Sequence, residues 1–370
     1  MKKILFFINT MDGGGAEKVL TNLVNALNPD EYDIDVVSVT GGIHEKNISD
    51  NINARKIIKI KNDRLRKFVS RIFYHLPLQL IYKIVVREKY DFEIAYLEGF
   101  PTRVIASDNS TAKKIAFVHC DVSVHHVLNN FYKNKDECIK EYAGFDKVCF
   151  VSDAAKYGFE KLYGAQNNSM VIHNVINFKQ AKEKAEESVP QDFETEGLKL
   201  IAVGRLSEEK GYSRLVNVIA DLEKKYKLEL WILGDGSEKE RIENIIEERK
   251  INSVRLLGFQ ENPYAYMKKA DLFICPSFFE GYSTVVAEAQ AIGLPVLTTD
   301  CAGMREILDN GKCGLIVDNS EEGIKSGLIT LFENNQILLE IKRNSETKKN
   351  NLNDKTATKE YDQLFKELIR

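Results

Sequence analysis

A chain of 370 residues exceeds what one hydrophobic core ordinarily serves, so two domains or three are expected. With 44% hydrophobic and 29% charged residues it reads as an ordinary globular protein, and a net charge of −3 argues against general nucleic-acid binding. Six cysteines with no C-x-x-C pair and no close Cys/His ladder suggest neither a zinc site nor a disulfide framework, which fits a reducing cytoplasm.

The start, MKKILFFINTMD, imitates a signal peptide, but its apolar run is too short and ends at Asn9 to Asp12 without a cleavage-type segment. It is expected to be a buried strand. Gly13, Gly14 and Gly15 follow and remove three Cβ atoms at a strand-to-helix turn, so backbone N–H groups can approach an anion at a helix N-terminus. A bare tight turn explains such a loop as well. Neither common nucleotide fingerprint is met: Lys18 stands where the third glycine of G-x-G-x-x-G belongs, and there is no G-x-x-x-x-G-K-[ST]. Asp33 and Asp35 in YDIDVVSV form a D-x-D string, but they are expected to precede the apolar strand and to point away from a ligand, so no metal is assigned to them.

From Arg55 to Tyr90 eleven Lys/Arg face two Asp/Glu, a basic island in an acidic chain. Within it FVSRIFYHLPLQLIYKIVV is long enough to span a bilayer, but Arg71, His75, Pro77 and Lys83 interrupt it. The expectation is contact with an anionic membrane surface through Arg64, Arg66, Lys67 and Arg71, with Phe68, Ile72, Phe73, Leu76, Leu78, Leu80 and Ile81 as the apolar side. A core-packed helix pair with a solvated basic face is the alternative. His119 in KIAFVHCDVS ends a strand; for nearby Cys120, His125 and His126, core or capping roles are expected over metal binding. Ser152 and Asp153 in FVSDAAKYGF read as a helix cap first and an acceptor-side element second.

LKLIAVGRLSEEKGYSRLVNVIADL then repeats the opening plan of strand, glycine turn and amphipathic helix. The stretch before it, NFKQAKEKAEESVPQDFETEG, is charged, poor in large apolar residues and holds Pro190, so it reads as a linker plus surface loop. Domains of 1–177 and 178–354 follow, and KTATKEYDQLFKELI is expected to form a helix over 355–370 that crosses back to the first. IDVVSV, FEIAYL, KIAFV and KVCFVS in one half, and LELWIL, SVRLLGF, LFICPS and PVLTT in the other, alternate with helical-period stretches. Short apolar strands buried on both faces predict an α/β chain with two doubly wound, Rossmann-like parallel sheets. Ligands of such sheets lie beyond the carboxyl ends of the strands, and two such domains facing each other would make a cleft.

In CPSFFEGYSTVVAEAQAIGLPV a strand should end at Pro276, Glu280 lie in the turn, and Gly281, Tyr282, Ser283 and Thr284 open a helix whose free N–H groups favour an anion. Glu288 then falls two turns along, on the order of 10 Å from Glu280. Two carboxylates flanking a helix start suit a nucleotide-sugar; an acid on the helix dipole plus a surface glutamate would give the same spacing. In VGRLSEEKG, Arg205 follows the strand-ending Gly204 and Lys210 comes five residues later, so both can clamp a diphosphate leaving group. A turn with a solvated charge run is the alternative.

At these segments the chain resembles glycosyltransferase family 4, the retaining nucleotide-sugar transferases of GT-B architecture. The carrying segments are GGGAEKV, GR with Lys210, LGDGSEKERIE, LLGFQENPYAYMKKAD and EGYSTVVAE, whose spacing matches the family's E-x(7)-E motif. AIGLPVLTTDCAGMREIL and GKCGLIV are similar too, so the resemblance spans nearly all of the second half and is weaker in the first. It implies that Arg205 and Lys210 hold the donor diphosphate, that Glu280 lies near the transferred sugar and Glu288 at the ribose, and that Gly14 and Gly15 close on the diphosphate region. His119 matches a family histidine close to the donor sugar. Gly204, Gly234, Phe259, Gly281, Tyr282, Ser283 and Thr284 would line the donor site, with Phe259 in the loop that selects or stacks the base. Asn174 in IHNVINF departs from the family's P-N-G-[IV]-D, with His173, Val175 and Asn177 at altered places, which puts a contact role there in doubt.

The implied activity is retaining transfer of a hexose or N-acetylhexosamine from a nucleotide diphosphate sugar, expected to be a UDP-sugar, to a growing glycan, with Arg205 and Lys210 making a metal unnecessary. The basic island points to a lipid-linked oligosaccharide of capsule, cell-wall or surface polysaccharide synthesis, handled by a cytoplasmic protein peripheral on the inner face of the membrane. First-half loops such as YLEGFPTRV and SVHHVLNNFYKNK would select the acceptor. Rival readings are a GT-B nucleotide-sugar epimerase, a glycogen-synthase-like transferase, and a non-catalytic sugar-nucleotide-binding assembly subunit.

Overall fold

The computed structural model describes residues 1–189, 196–353 and 355–369, arranged in two compact units: Met1–Val175 with Lys355–Arg370, and Ile176–Asp354. Pro190 and the five residues after it, part of the expected linker, lie outside the described residues.

The first unit holds β1 (Lys2–Ile8), β2 (Tyr32–Ser38), β3 (Asn53–Lys56), β4 (Phe92–Ala95), β5 (Lys113–Val118), β6 (Lys147–Phe150) and β7 (Ser169–Val171) in one parallel sheet, order β3-β2-β1-β4-β5-β6-β7. The uninterrupted apolar run of β1 follows from burial on both faces. Leu5 and Phe7 point into one layer with Val37, Ala95 and Val118, while Ile4, Phe6 and Ile8 point into the other with Val36, Ile94 and Phe117. The C-terminal helix Lys355–Ile369 completes that second layer: Phe365 lies 5.6 Å from Tyr32 and 5.0 Å from Phe92, and Tyr361 stacks on Phe117 at 5.8 Å. The second unit holds β8 (Leu198–Val203), β9 (Leu228–Leu233), β10 (Val254–Gly258), β11 (Leu272–Cys275), β12 (Val296–Thr299) and β13 (Gly314–Val317), order β10-β9-β8-β11-β12-β13, again all parallel. In each sheet the strand order reverses beside the first strand, between β1 and β4 and between β8 and β11. That switch point is where doubly wound sheets open a crevice for ligands.

Several expectations need correction. Asp33 and Asp35 lie within β2 and do not precede it; Asp35 is buried and accepts from Asn53 Nδ2 at 3.0 Å and from the Tyr90 hydroxyl. The expected linker contains a helix, Phe178–Ala185, started by Asn177, whose side chain accepts from the Gln180 N–H at 2.8 Å. Its Ala181 and Ala185 are buried in the core of the second unit. Small alanines let the helix sit close without the large apolar residues that would have marked it. In the basic island, helices Asp63–Tyr74 and Leu78–Val85 form, but Phe73 and Ile81 point into the core instead of outward.

Candidate active site

The switch point of the second unit is built by close backbone approach. Gly204 ends β8 and donates to Leu233 O at 3.0 Å; Gly234 ends β9 and donates to Gly258 O at 2.8 Å. A Cβ on Gly234, which has φ 142°, would stand 1.9 Å from Gly204 O, so only glycine fits between these turns. Gly211, with φ 67°, likewise passes so near β11's exit that a Cβ would meet Pro276 O at 2.1 Å. The loops leaving β8 and β11 are thereby pressed together.

Seventy residues apart in sequence, Lys210 and Glu280 meet across these loops, with Lys210 Nζ 2.7 Å from Glu280 Oε1. Ser277 Oγ donates to the same oxygen at 2.7 Å. Both donors converge on Oε1, and Oε2 has no hydrogen-bond partner among the described residues, so it can accept from a ligand hydroxyl. Burial by itself would lower the Lys210 pKa, but the charge of Glu280 and its hydrogen bond outweigh that and hold it raised, so the ammonium stays charged. Arg205 is exposed on the same loop, and its guanidinium has no hydrogen-bond or ion-pair partner among the described residues. The two cations read as a clamp are therefore unlike: one is already neutralised by a carboxylate, the other is available to an anion.

The expected helix start moves. Gly281, Tyr282 and Ser283 precede the helix, which runs Thr284–Ala291, and Ser283 as N-cap makes no side-chain bond back to it. Glu288 consequently lies little more than one turn in, not two, and it is buried at 3% exposure. Gly281 abuts the turn after β12, where a Cβ on Gly303 would come 2.6 Å from Gly281 O. Phe259, just past β10, is exposed.

In the first unit Gly14 is the N-cap of the helix Gly15–Ala26. The Glu17 carboxylate folds over it, so that a Cβ on Gly14 would lie 1.9 Å from Glu17 Oε2. Glycine turns after β2 pin this loop: Gly41 O accepts from the Met11 N–H at 3.0 Å and from Thr10 Oγ1 at 2.9 Å, and His44 N–H donates to Met11 O at 2.9 Å. Burial, then the charge of Lys18, pushes the His44 ring down to about 4. His119 sits 4.9 Å from Tyr96 and stacks on Phe117; its Nε2 is buried with no hydrogen-bond partner among the described residues. Burial lowers its pKa against the opposing charge of Glu98, which keeps the ring neutral. Glu98 accepts from the His119 N–H at 2.8 Å and from Cys120 Sγ at 3.1 Å. His125 and His126 are exposed, and among the described residues no group of three His, Cys, Asp or Glu could hold a metal ion. Ser152 caps the helix Asp153–Tyr163, accepting from the Ala155 N–H at 3.1 Å.

Sequence reasoning missed Ser277, Glu17 and the Gly41–Gly42 turn. Glu17 was legible in principle, as an acid in the first turn of a helix after a glycine cap.

Residues 183–351 match the family described as glycosyl transferases group 1. The chain is 26% identical over 366 residues to a Campylobacter jejuni N-acetylgalactosamine-N,N'-diacetylbacillosaminyl-diphospho-undecaprenol 4-alpha-N-acetylgalactosaminyltransferase, covering 94% of this chain and 95% of that protein. It is 25% identical over 356 residues to the lipopolysaccharide core biosynthesis glycosyltransferase LpsE of Rhizobium meliloti, covering 95% and 96%. Among solved structures, Anabaena HepE in complex with UDP and glucose is similar with a TM-score of 0.76 at 19% identity, over 99% of this chain and 100% of that one. Over residues 183–351, within the second unit, the chain thus matches the group 1 glycosyltransferases, and its two parallel sheets have the GT-B fold of these structural relatives.

Proposed function

We propose that this glycosyltransferase moves a hexose or N-acetylhexosamine from a UDP-sugar to a lipid-linked oligosaccharide of capsule, cell-wall or surface polysaccharide synthesis. The observation that carries the reading is the Lys210–Glu280 pair at the switch point of the second unit, with Arg205 exposed on the same loop and unpaired among the described residues. Arg205 supplies the first net positive charge met by a diphosphate, and Lys210 can be shared between Glu280 and a phosphate oxygen as charge builds on the leaving group. Glu280 Oε2 accepts from a hydroxyl of the transferred sugar, and Glu288 serves the ribose. The anomeric bond to the diphosphate breaks as the acceptor hydroxyl attacks from the same face, its proton passing to the departing diphosphate oxygen, so configuration is kept. The two cations do the work a metal does elsewhere. A UDP-containing structural relative and a relative named for a diphospho-undecaprenol-linked acceptor support the donor and acceptor classes.

The acceptor's lipid gives the helix Asp63–Tyr74 a role. Among the described residues no helix is long and apolar enough to cross a membrane. On this helix, however, Leu65, Phe68 and Ile72 are 51%, 61% and 51% exposed at positions i, i+3 and i+7, while Phe73 on the other side is buried. Arg64, Lys67 and Arg71 flank that stripe, with Arg66 beside them. An apolar strip rimmed by cations fits the headgroup region of an anionic bilayer.

A donor panel assayed with membrane extract, read by mass analysis of the lipid-linked product, tests the transfer. A sugar-extended lipid product from a UDP-sugar is expected. Epimerised donor, or binding with neither transfer nor slow donor hydrolysis, would refute it. For the surface, vesicles containing anionic lipid should recruit the protein, less so as salt rises. Replacing Arg64, Arg66, Lys67 and Arg71 by Gln should release it, each contributing about 1 kcal/mol, with hydrolysis of soluble donor unchanged. Equal binding to neutral vesicles, or a second copy of the chain found on this face, would overturn the membrane assignment.

A further inference from the structure

We propose that Arg214 is the positioning residue for Glu280, through the backbone of the loop that carries it. The inference rests on the reading of Glu280 as the sugar-facing carboxylate. Arg214 lies in the first turn of the helix Tyr212–Leu222 and is buried. Its Nε and Nη2 donate to Pro276 O at 3.0 and 2.7 Å, and Nη2 donates also to Ser277 O at 2.8 Å and to Asn319 Oδ1 at 2.8 Å. The guanidinium carbon stands 3.8 Å from the centre of the Phe278 ring. Asn319 continues the chain of bonds, its Nδ2 donating to Phe278 O at 2.6 Å. Three successive carbonyls, those of Pro276, Ser277 and Phe278, are thus held by one cation and the amide bonded to it.

Among the described residues no carboxylate lies within ion-pair distance of Arg214. A buried cation satisfied only by carbonyls is costly unless each bond is made, so the loop's path and the arginine's place specify each other. The fork matters because Nε and Nη2 together clasp Pro276 O while Nη2 reaches on to Ser277 O, a planar two-nitrogen grip that a single ammonium does not reproduce. The same short segment grips the loop at every level. Glu209 O accepts from the Phe278 N–H at 2.8 Å, Gly211 leaves room for Pro276 O, Lys210 holds the Glu280 carboxylate, and Arg214 holds the backbone behind it. Ser277, whose hydroxyl bonds to Glu280 Oε1, is fixed by the same network, since its carbonyl also accepts from Thr299 Oγ1 at 2.5 Å and Cys301 Sγ at 3.2 Å. Losing the fork should therefore displace the carboxylate without removing any group that binds nucleotide.

The test is Arg214→Lys, which keeps the charge and loses the fork, beside Asn319→Ala, which loosens Phe278 O from an exposed position and removes one acceptor of Arg214 while leaving its bonds to Pro276 O and Ser277 O. Expected is a fall in kcat of about 10-fold to 100-fold for Arg214→Lys and a smaller fall for Asn319→Ala, with UDP affinity by calorimetry within about twofold of the parent. In a Glu280→Gln background, Arg214→Lys should change kcat by less than about twofold, because its effect passes through that carboxylate. A parent-like kcat in both single variants, UDP affinity falling in step with kcat, or full additivity with Glu280→Gln would overturn the positioning role. If Glu280→Gln is impaired and Arg214→Lys is not, only this inference fails. If Glu280→Gln itself turns over like the parent, the reading of the site fails with it.

Discussion

The loops that leave β1 and β8 occupy equivalent places, each following the first strand of a parallel sheet, at its switch point, and turning into a helix. Their chemistry differs. After β1, three glycines lead to a helix start over which the chain's own Glu17 carboxylate lies, and neighbouring turns pin the loop. After β8, the loop carries an exposed Arg205 with no ion-pair partner among the described residues and delivers Lys210 to a carboxylate from the loop after β11. Equal topology thus supplies two strand-to-helix turns, and the side chains decide that one presents a carboxylate and the other cations.

The largest expected effect breaks that comparison directly. Arg205→Ala or Lys210→Ala should lower kcat by about 10²-fold or more, as loss of one preorganised charge does, while thermal unfolding of Arg205→Ala stays at the parent value because the side chain is exposed. Parent-like turnover by both folded variants would remove the clamp. Next, Glu280→Gln should depress kcat with UDP affinity retained, whereas Glu288→Gln should weaken UDP binding first. Calorimetry showing equal UDP affinity for Glu288→Gln and the parent would count against the ribose role.

A stability comparison sharpens the contrast between the turns. Gly234→Ala forces a Cβ against a carbonyl in a positive-φ turn and should cost about 1–3 kcal/mol in chemical denaturation. Gly14→Ala meets only the movable end of Glu17 at φ −94° and should cost less. Equal losses would show that the Glu17 carboxylate is as rigidly held as backbone. Smaller still is a pH effect in the first loop. His44 is held at about 4 by burial and Lys18, so below its usual value near 6.5 the unfolded chain takes up a proton that the folded loop refuses. Stability contributed there is complete above pH 6.5 and is lost as pH falls toward 4; His44→Gln should flatten that part of the pH–stability curve, and an unchanged curve would refute the assignment. Excess chelator should leave transfer unaltered, and full loss restored by manganese would overturn the metal-free proposal.

Strands buried on both faces announce themselves as unbroken apolar runs, which is why KKILFFI and LELWIL were legible and why two parallel sheets followed from them. The edge strands β3 and β7 were not legible: NARK is charged along one exposed border, and Ser169–Val171 is three residues long. Nor was the alanine-faced helix Phe178–Ala185, whose packing depends on small side chains that composition counts as neutral. In the basic island, periodicity marked the helices but not which apolar side chains turn inward, since both faces of Asp63–Tyr74 carry them.

The sequence by itself determined the residue types and the local turns: a glycine exit from each first strand, Arg205 and Lys210 on one loop, and Glu280 before a helix. These are short-range properties, set by Cβ sterics, capping and hydrophobic period. Only the tertiary structure decided that Lys210 is spent on Glu280 while Arg205 is not, that Glu288 is buried, and that Arg214 holds the loop behind the carboxylate. Those contacts join segments some seventy residues apart because β8 and β11 lie side by side in the sheet, and strand adjacency is a long-range choice that no local pattern encodes.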